Sequence, residues 1–132
     1  LSDYAELKGV ADMFIFIGHV NDPESILFAC DSLVKPTRES NPWGRDILES
    51  MSMGKPVISI GNYDVFVKND VTGYLFSEYN AENIAHKITD LVHSPEKRRQ
   101  MGLKAQQLVE AQCNGFKQAK KLTDVWIKAS RM

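Results

Sequence analysis

The stretch "SLVKPTRESNPWGRDILESMSMGKPVISIG", residues 32–61, decides the fold. It opens on a short apolar run, "SLVKP" at 32–36, and crosses a polar loop. It then enters a segment where Ile47, Leu48 and Met51 recur at helical spacing. A second apolar run, "PVISIG" at 56–61, closes it. Strand, helix and strand in so short a span read as a parallel βαβ unit, because parallel neighbours need a crossover between them.

The alternation extends outward from this unit. "MFIFIG" at 13–18 reads as an earlier strand, "DPESILFAC" as a helix with Ile26, Leu27 and Cys30 on one side, and "GYLF" at 73–76 as a last strand. Beyond Asn80 the pattern is wholly helical. Asn80 is placed to cap a helix carrying Ala81, Ile84, Ala85, Ile88, Leu91 and Val92, and Ser94-Pro95 restarts a second one with Met101, Ala105, Leu108 and Val109. After a break at "CNG", Leu122, Val125, Trp126 and Ala129 form a final amphipathic stripe. The expected fold class is α/β: a Rossmann-like parallel sheet with flanking helices and a helical C-terminal tail, in a single domain 1–132 whose segment 80–132 is helix-rich and basic.

Charge and cysteine usage narrow the function classes. The 132 residues carry a net charge of −1, which argues against a nucleic-acid partner. Residues 1–93 hold seven Lys or Arg against fourteen Asp or Glu, while residues 94–132 hold nine against three, so the tail is a basic segment. Lys97, Arg98, Arg99, Lys104, Lys120 and Lys121 read either as a solvated helix face or as a peripheral contact with an anionic membrane. Cys30 and Cys113 stand far apart, fit no zinc or redox spacing, and read as buried free thiols in a reducing, cytoplasmic setting. His86 and His93 lack a third ligand, so no metal site is read. The chain starts at "LSDYAELKGVAD" without an initiator Met and reads as a piece of a longer polypeptide.

The chemistry concentrates at Gly44. A helix opening there presents unpaired amide hydrogens and the positive end of its dipole, which suits a phosphate or carboxylate group. In an open parallel sheet, ligands collect beyond the carboxyl ends of the strands, where this loop falls. The expected occupant is an anion, a diphosphate. Glu49 reads either as the acceptor of sugar hydroxyls beside that anion or as a solvated helix residue. Trp43 either stacks on a ligand or plugs the loop, and Arg38 and Arg45 either reach phosphates or are solvated.

These residues carry a family resemblance. "FIGHV", "DSLVKPTRESNPWGRDILESMSMGKPVIS" and "VTGYLF" together resemble the donor-binding C-terminal lobe of the family 4 retaining glycosyltransferases of GT-B fold, over residues 11–110. That family reads an Asp opening a strand that ends Pro-Ser, a Glu-rich loop with Gly, a helix ending "EAMA-x-G-x-PV", and "TG" before a final strand. Here those features are Asp31, Pro36-Thr37, Gly44, "ESMSMGKPV" from Glu49 to Val57, and Thr72-Gly73. The resemblance implies transfer of a hexose from a nucleoside diphosphate sugar with retention, and no cofactor or metal for this lobe. The implied donor-binding residues are Gly18, His19, Asn41, Pro42, Trp43, Gly44, Arg45, Asp46 and Glu49. The base would lie over the turn at Gly18, His19 and Val20, Glu49 would hold the ribose, and no catalytic residue is assigned. Asn41 stands where the family has a sugar-contacting Glu, and Val65 where a second acidic residue is frequent. A non-catalytic nucleotide-sugar-binding or scaffold domain is the alternative reading.

The resemblance also implies partners. The acceptor site belongs to a separate N-terminal lobe of the parent chain. In a doubly wound sheet of order 3-2-1-4-5-6, the run at 13–18 would be strand 3 and that at 32–36 strand 4, which are not neighbours. An unpaired edge and an apolar face are therefore expected, filled by a partner or by re-pairing in a homodimer of the fragment.

Overall fold

A computed structural model describes residues 1–41 and 44–131. Its centre is a sheet of three parallel strands in the order β1-β2-β3: β1 Leu33–Lys35, β2 Val57–Ile60 and β3 Gly73–Phe76. Leu33 registers with Val57, and Val57 with Gly73. The helices are α1 Ser2–Leu7, α2 Pro23–Ala29, α3 Arg45–Ser52, α4 Ala81–His93, α5 Pro95–Gln112 and α6 Gly115–Ala129. Three of the four expected strands and all the expected helices are present.

β2 is buried along its whole length because both of its faces are covered. Side chains alternate across a strand, so Val57 packs with Ile47 and Met51 of α3 and Ala105 and Val109 of α5 on one face. Ile58 and Ile60 pack with Tyr74, Ile84, Leu91 and Met101 on the other. Asn80 caps α4 by accepting from the Asn83 amide, as its position predicts, and Asn114 caps α6 through Lys117. Ser94 makes no side-chain cap, so Pro95 alone marks the start of α5.

Three expectations are corrected. The run at 13–18 is not a strand. Residues Ala11–Met13 form a short 3-10 turn, and Met13, Phe14, Ile15, Phe16 and Ile17 are all exposed. The physical reason is the one anticipated from strand order, since no described neighbour offers it a ladder to join. The thiols of Cys30 and Cys113 are exposed rather than buried, because each sits at a helix end just past the packed face. The stripe on α6 has no described partner either: Leu122, Val125 and Trp126 are exposed and none of that helix is buried. Among the described residues no helix is long and apolar enough to cross a membrane.

Candidate functional site

The polypeptide leaves the carboxyl end of β1 at Lys35, runs through a loop, and re-enters regular structure at α3. Pro36 cannot extend the strand ladder, and the Thr37 amide turns back to the Lys35 carbonyl at 3.0 Å. Thr37 Oγ1 then donates to the Glu39 carbonyl at 2.8 Å. Midway, the Asn41 amide donates to the carbonyl of Ile60, the last residue of β2, at 3.2 Å. A cleft of about 450 Å3 opens here, lined by Thr37, Arg38, Glu39, Ser40 and Asn41. Arg38 lies over the Tyr79 ring, 5.8 Å from its centroid.

No side chain caps the first turn of α3, in contrast to α2, where the Asp22 carboxylate accepts from Ser25. Gly44 is the N-cap, with an extended backbone. Space around it is tight: a Cβ added at Gly44 would stand 2.7 Å from Asp46 Oδ1 and 3.1 Å from Lys35 Nζ. The sequence reading placed an anion at this helix start. The structure adds that the volume of a side chain is already taken by a Lys35–Asp46 ion pair, with Nζ 3.1 Å from Oδ1 and 3.0 Å from Oδ2.

The structure gathers Asn41, Gly44, Arg45, Asp46 and Glu49 into one strand-loop-helix unit at the carboxyl end of the sheet. Arg45 pairs with Glu49 one turn on, Nε to Oε1 at 3.0 Å. Gly18 and His19 are exposed on a turn ahead of α2, where Gly18 has φ +63. Among the described residues no hydrogen bond or ion pair joins that turn to α3. Pro42 and Trp43, named with the site, lie outside the described residues.

Two polar groups escaped the sequence reading. Lys35 was absorbed into an apolar strand pattern, although a charged residue at the carboxyl end of a strand, where ligands collect, was a signal in itself. Ser59 is the register partner of Lys35, so the two share a sheet face. Its hydroxyl is fully buried with no hydrogen-bond partner among the described residues.

A family model described as glycosyl transferases group 1 matches residues 1–108. The chain belongs to the group 1 glycosyl transferases. Among solved structures, this group 1 chain is similar to HepE of Anabaena. The UDP complex of HepE aligns at 22% identity and TM-score 0.81, over 92% of this chain and 35% of that one. HepE has also been solved with UDP-glucose. Sucrose-phosphate synthase of Thermosynechococcus elongatus aligns at 22% identity and TM-score 0.86, over 98% of this chain and 33% of that one. The C-terminal domain of LpcC, a group 1 family glycosyl transferase of Francisella tularensis, aligns at 24% identity and TM-score 0.72, over 83% and 58%. No curated protein matches the chain. These likenesses establish the fold, that of a GT-B C-terminal lobe. The group 1 chain spans about a third of the length of HepE and of the synthase.

Proposed function

We propose that this chain is the donor-binding lobe of a retaining glycosyltransferase, taking a nucleoside diphosphate sugar while the acceptor site is supplied by an N-terminal lobe of the parent protein. The observation that carries this reading is the uncapped first turn of α3 opening beside a polar cleft at the carboxyl end of β1, in a chain of the group 1 family. The structural neighbour HepE, solved with UDP and with UDP-glucose, supports the choice of ligand class.

The lobe's share of the chemistry is leaving-group stabilisation. Amide hydrogens of Gly44, Arg45 and Asp46 meet the diphosphate oxygens, and they count most as charge accumulates there during cleavage of the sugar bond. Removal of one such donor costs on the order of 3 kcal/mol of barrier. Glu49, paired with Arg45, accepts from the ribose hydroxyls. Asn41, which both donates and accepts, faces the transferred sugar.

The test uses the full-length parent protein. Calorimetric titration against UDP, GDP, ADP and dTDP, and against their hexose conjugates, should return saturable binding for one base. Glu49→Ala should weaken it by roughly tenfold or more, the weight of a charge-assisted hydrogen bond. Unchanged affinity in that variant removes the ribose assignment. Binding without hydrolysis or transfer would favour the non-catalytic reading that Asn41 motivates.

A further inference from the structure

The Lys35–Asp46 ion pair crosses the neck of the loop that forms the cleft. Lys35 ends β1 and Asp46 lies in the first turn of α3, so every cleft-lining residue falls between the two. The ammonium straddles both carboxylate oxygens, at 3.1 and 3.0 Å. Its side chain is only 16% exposed, against 47% for Asp46.

This is an unfavourable address for a lysine. Burial strips water from the ammonium, and the start of α3 presents it with the positive end of a helix dipole. An apolar side chain would fill the end of β1 without either cost, and buried ion pairs are weak contributors to stability once desolvation is counted. What the pair supplies instead is a directional link between two elements. Among the described residues a backbone tie also crosses the loop, the Asn41 amide on the Ile60 carbonyl. Together the two ties fix the cleft from both sides, and Gly44 completes the arrangement because any side chain there would collide with the pair.

We propose that Lys35 is a positioning residue of the donor site. Through Asp46 it locks the first turn of α3 against the end of β1, and so sets the angle at which the helix amides and the cleft meet a diphosphate. The inference rests on the donor-site reading given above. It assigns Lys35 a role through Asp46 and not as a direct ligand of phosphate.

The experiment uses the full-length protein with Lys35→Met, Asp46→Asn and Lys35→Arg. Two readouts are taken below the melting temperature: amide hydrogen exchange across residues 36–46, which needs no ligand, and titration with UDP, GDP, ADP and dTDP. Lys35→Met and Asp46→Asn should both speed exchange in 36–46 while β2 and β3 stay protected. Both should also weaken diphosphate binding about tenfold. Lys35→Arg, which keeps the pair, should restore both. Asp46→Asn is the decisive variant, because it removes a negative charge from an anion site and by simple electrostatics should tighten binding. Tighter or unchanged binding there, or unchanged exchange in both single variants, overturns the proposal. Should Lys35→Met fail to fold, the half-exposed Asp46→Asn carries the test alone. If the wild type binds none of the four nucleotides, the donor-site reading fails, while the exchange rates still decide whether the pair holds the loop.

Discussion

Two glycines make opposite demands on a substitution. At Gly44 the backbone is extended, which any residue adopts, and the obstacle to a Cβ is the far end of the Asp46 side chain at 2.7 Å. That carboxylate can swing away, so Gly44→Ala should fold normally, with a stability loss of about 1 kcal/mol, while displacing the Lys35–Asp46 pair. At Gly73 the obstacle is backbone: a Cβ would fall 1.9 Å from the Val57 carbonyl oxygen, across the β2–β3 ladder. Main chain in the middle of a sheet has nowhere to go. Gly73→Ala should therefore cost about 3 kcal/mol or more in a urea titration, and parity between the two variants would show that the close approach at Gly73 is relieved in solution. The sequence marked both positions as special, Gly44 through the helix start and Gly73 through "TG". It marked neither for the reason the structure gives, because the crowding at Gly44 depends on Asp46 being held by a lysine that was read as apolar strand, and that at Gly73 comes from Val57, remote in the chain.

At the scale of elements, β3, α4 and α5 are joined by a polar cluster on the face opposite α3. Tyr74 is buried, and its hydroxyl donates to Asp90 Oδ2 at 2.6 Å. Lys97 of α5 reaches the same oxygen at 2.9 Å, and Lys87 of α4 stands over the Tyr74 ring at 4.5 Å. The Tyr74 hydrogen bond first, and Lys97 second, hold the Asp90 carboxyl below its ordinary value of 3.8. Burial, followed by the bond to Asp90, pushes the Tyr74 hydroxyl above its ordinary 10.0. A depressed carboxyl stabilises the fold above its unfolded value and loses that contribution as pH falls through the folded one. Asp90→Asn should thus destabilise the protein at neutral pH by no more than about 1 kcal/mol, since the pair is partly solvated. The difference from wild type should vanish well below pH 3.8. A gap that persists in acid would assign the effect to packing instead. Element boundaries here were legible because capping and periodicity are local: Asn80, Ser94-Pro95 and "CNG" announced α4, α5 and α6. The cluster itself was not legible, because nothing in the spacing of Tyr74, Asp90 and Lys97 says that three separate elements bring them to one point.

For the whole molecule, the decisive misreading was "MFIFIG". Its period and composition are those of a buried strand, and local pattern contains no information about whether a neighbouring strand exists. The structure leaves Ile15 90% exposed and Phe14 and Phe16 more than half exposed, and Trp126 and Val125 of α6 are also uncovered. Exposed apolar surface on this scale is unusual for a monomer in water. The 132-residue polypeptide, prepared alone, should accordingly bind an apolar fluorescent dye strongly and sediment as a concentration-dependent mixture of oligomers. Ile15→Ser combined with Ile17→Ser should lower dye binding and shift sedimentation toward monomer, with stability unchanged within about 0.5 kcal/mol because neither side chain packs on the core. A monomeric wild-type polypeptide with no dye signal would mean that residues 13–17 fold back onto the sheet edge in solution. The strand expectation would then be recovered by a rearrangement of this segment.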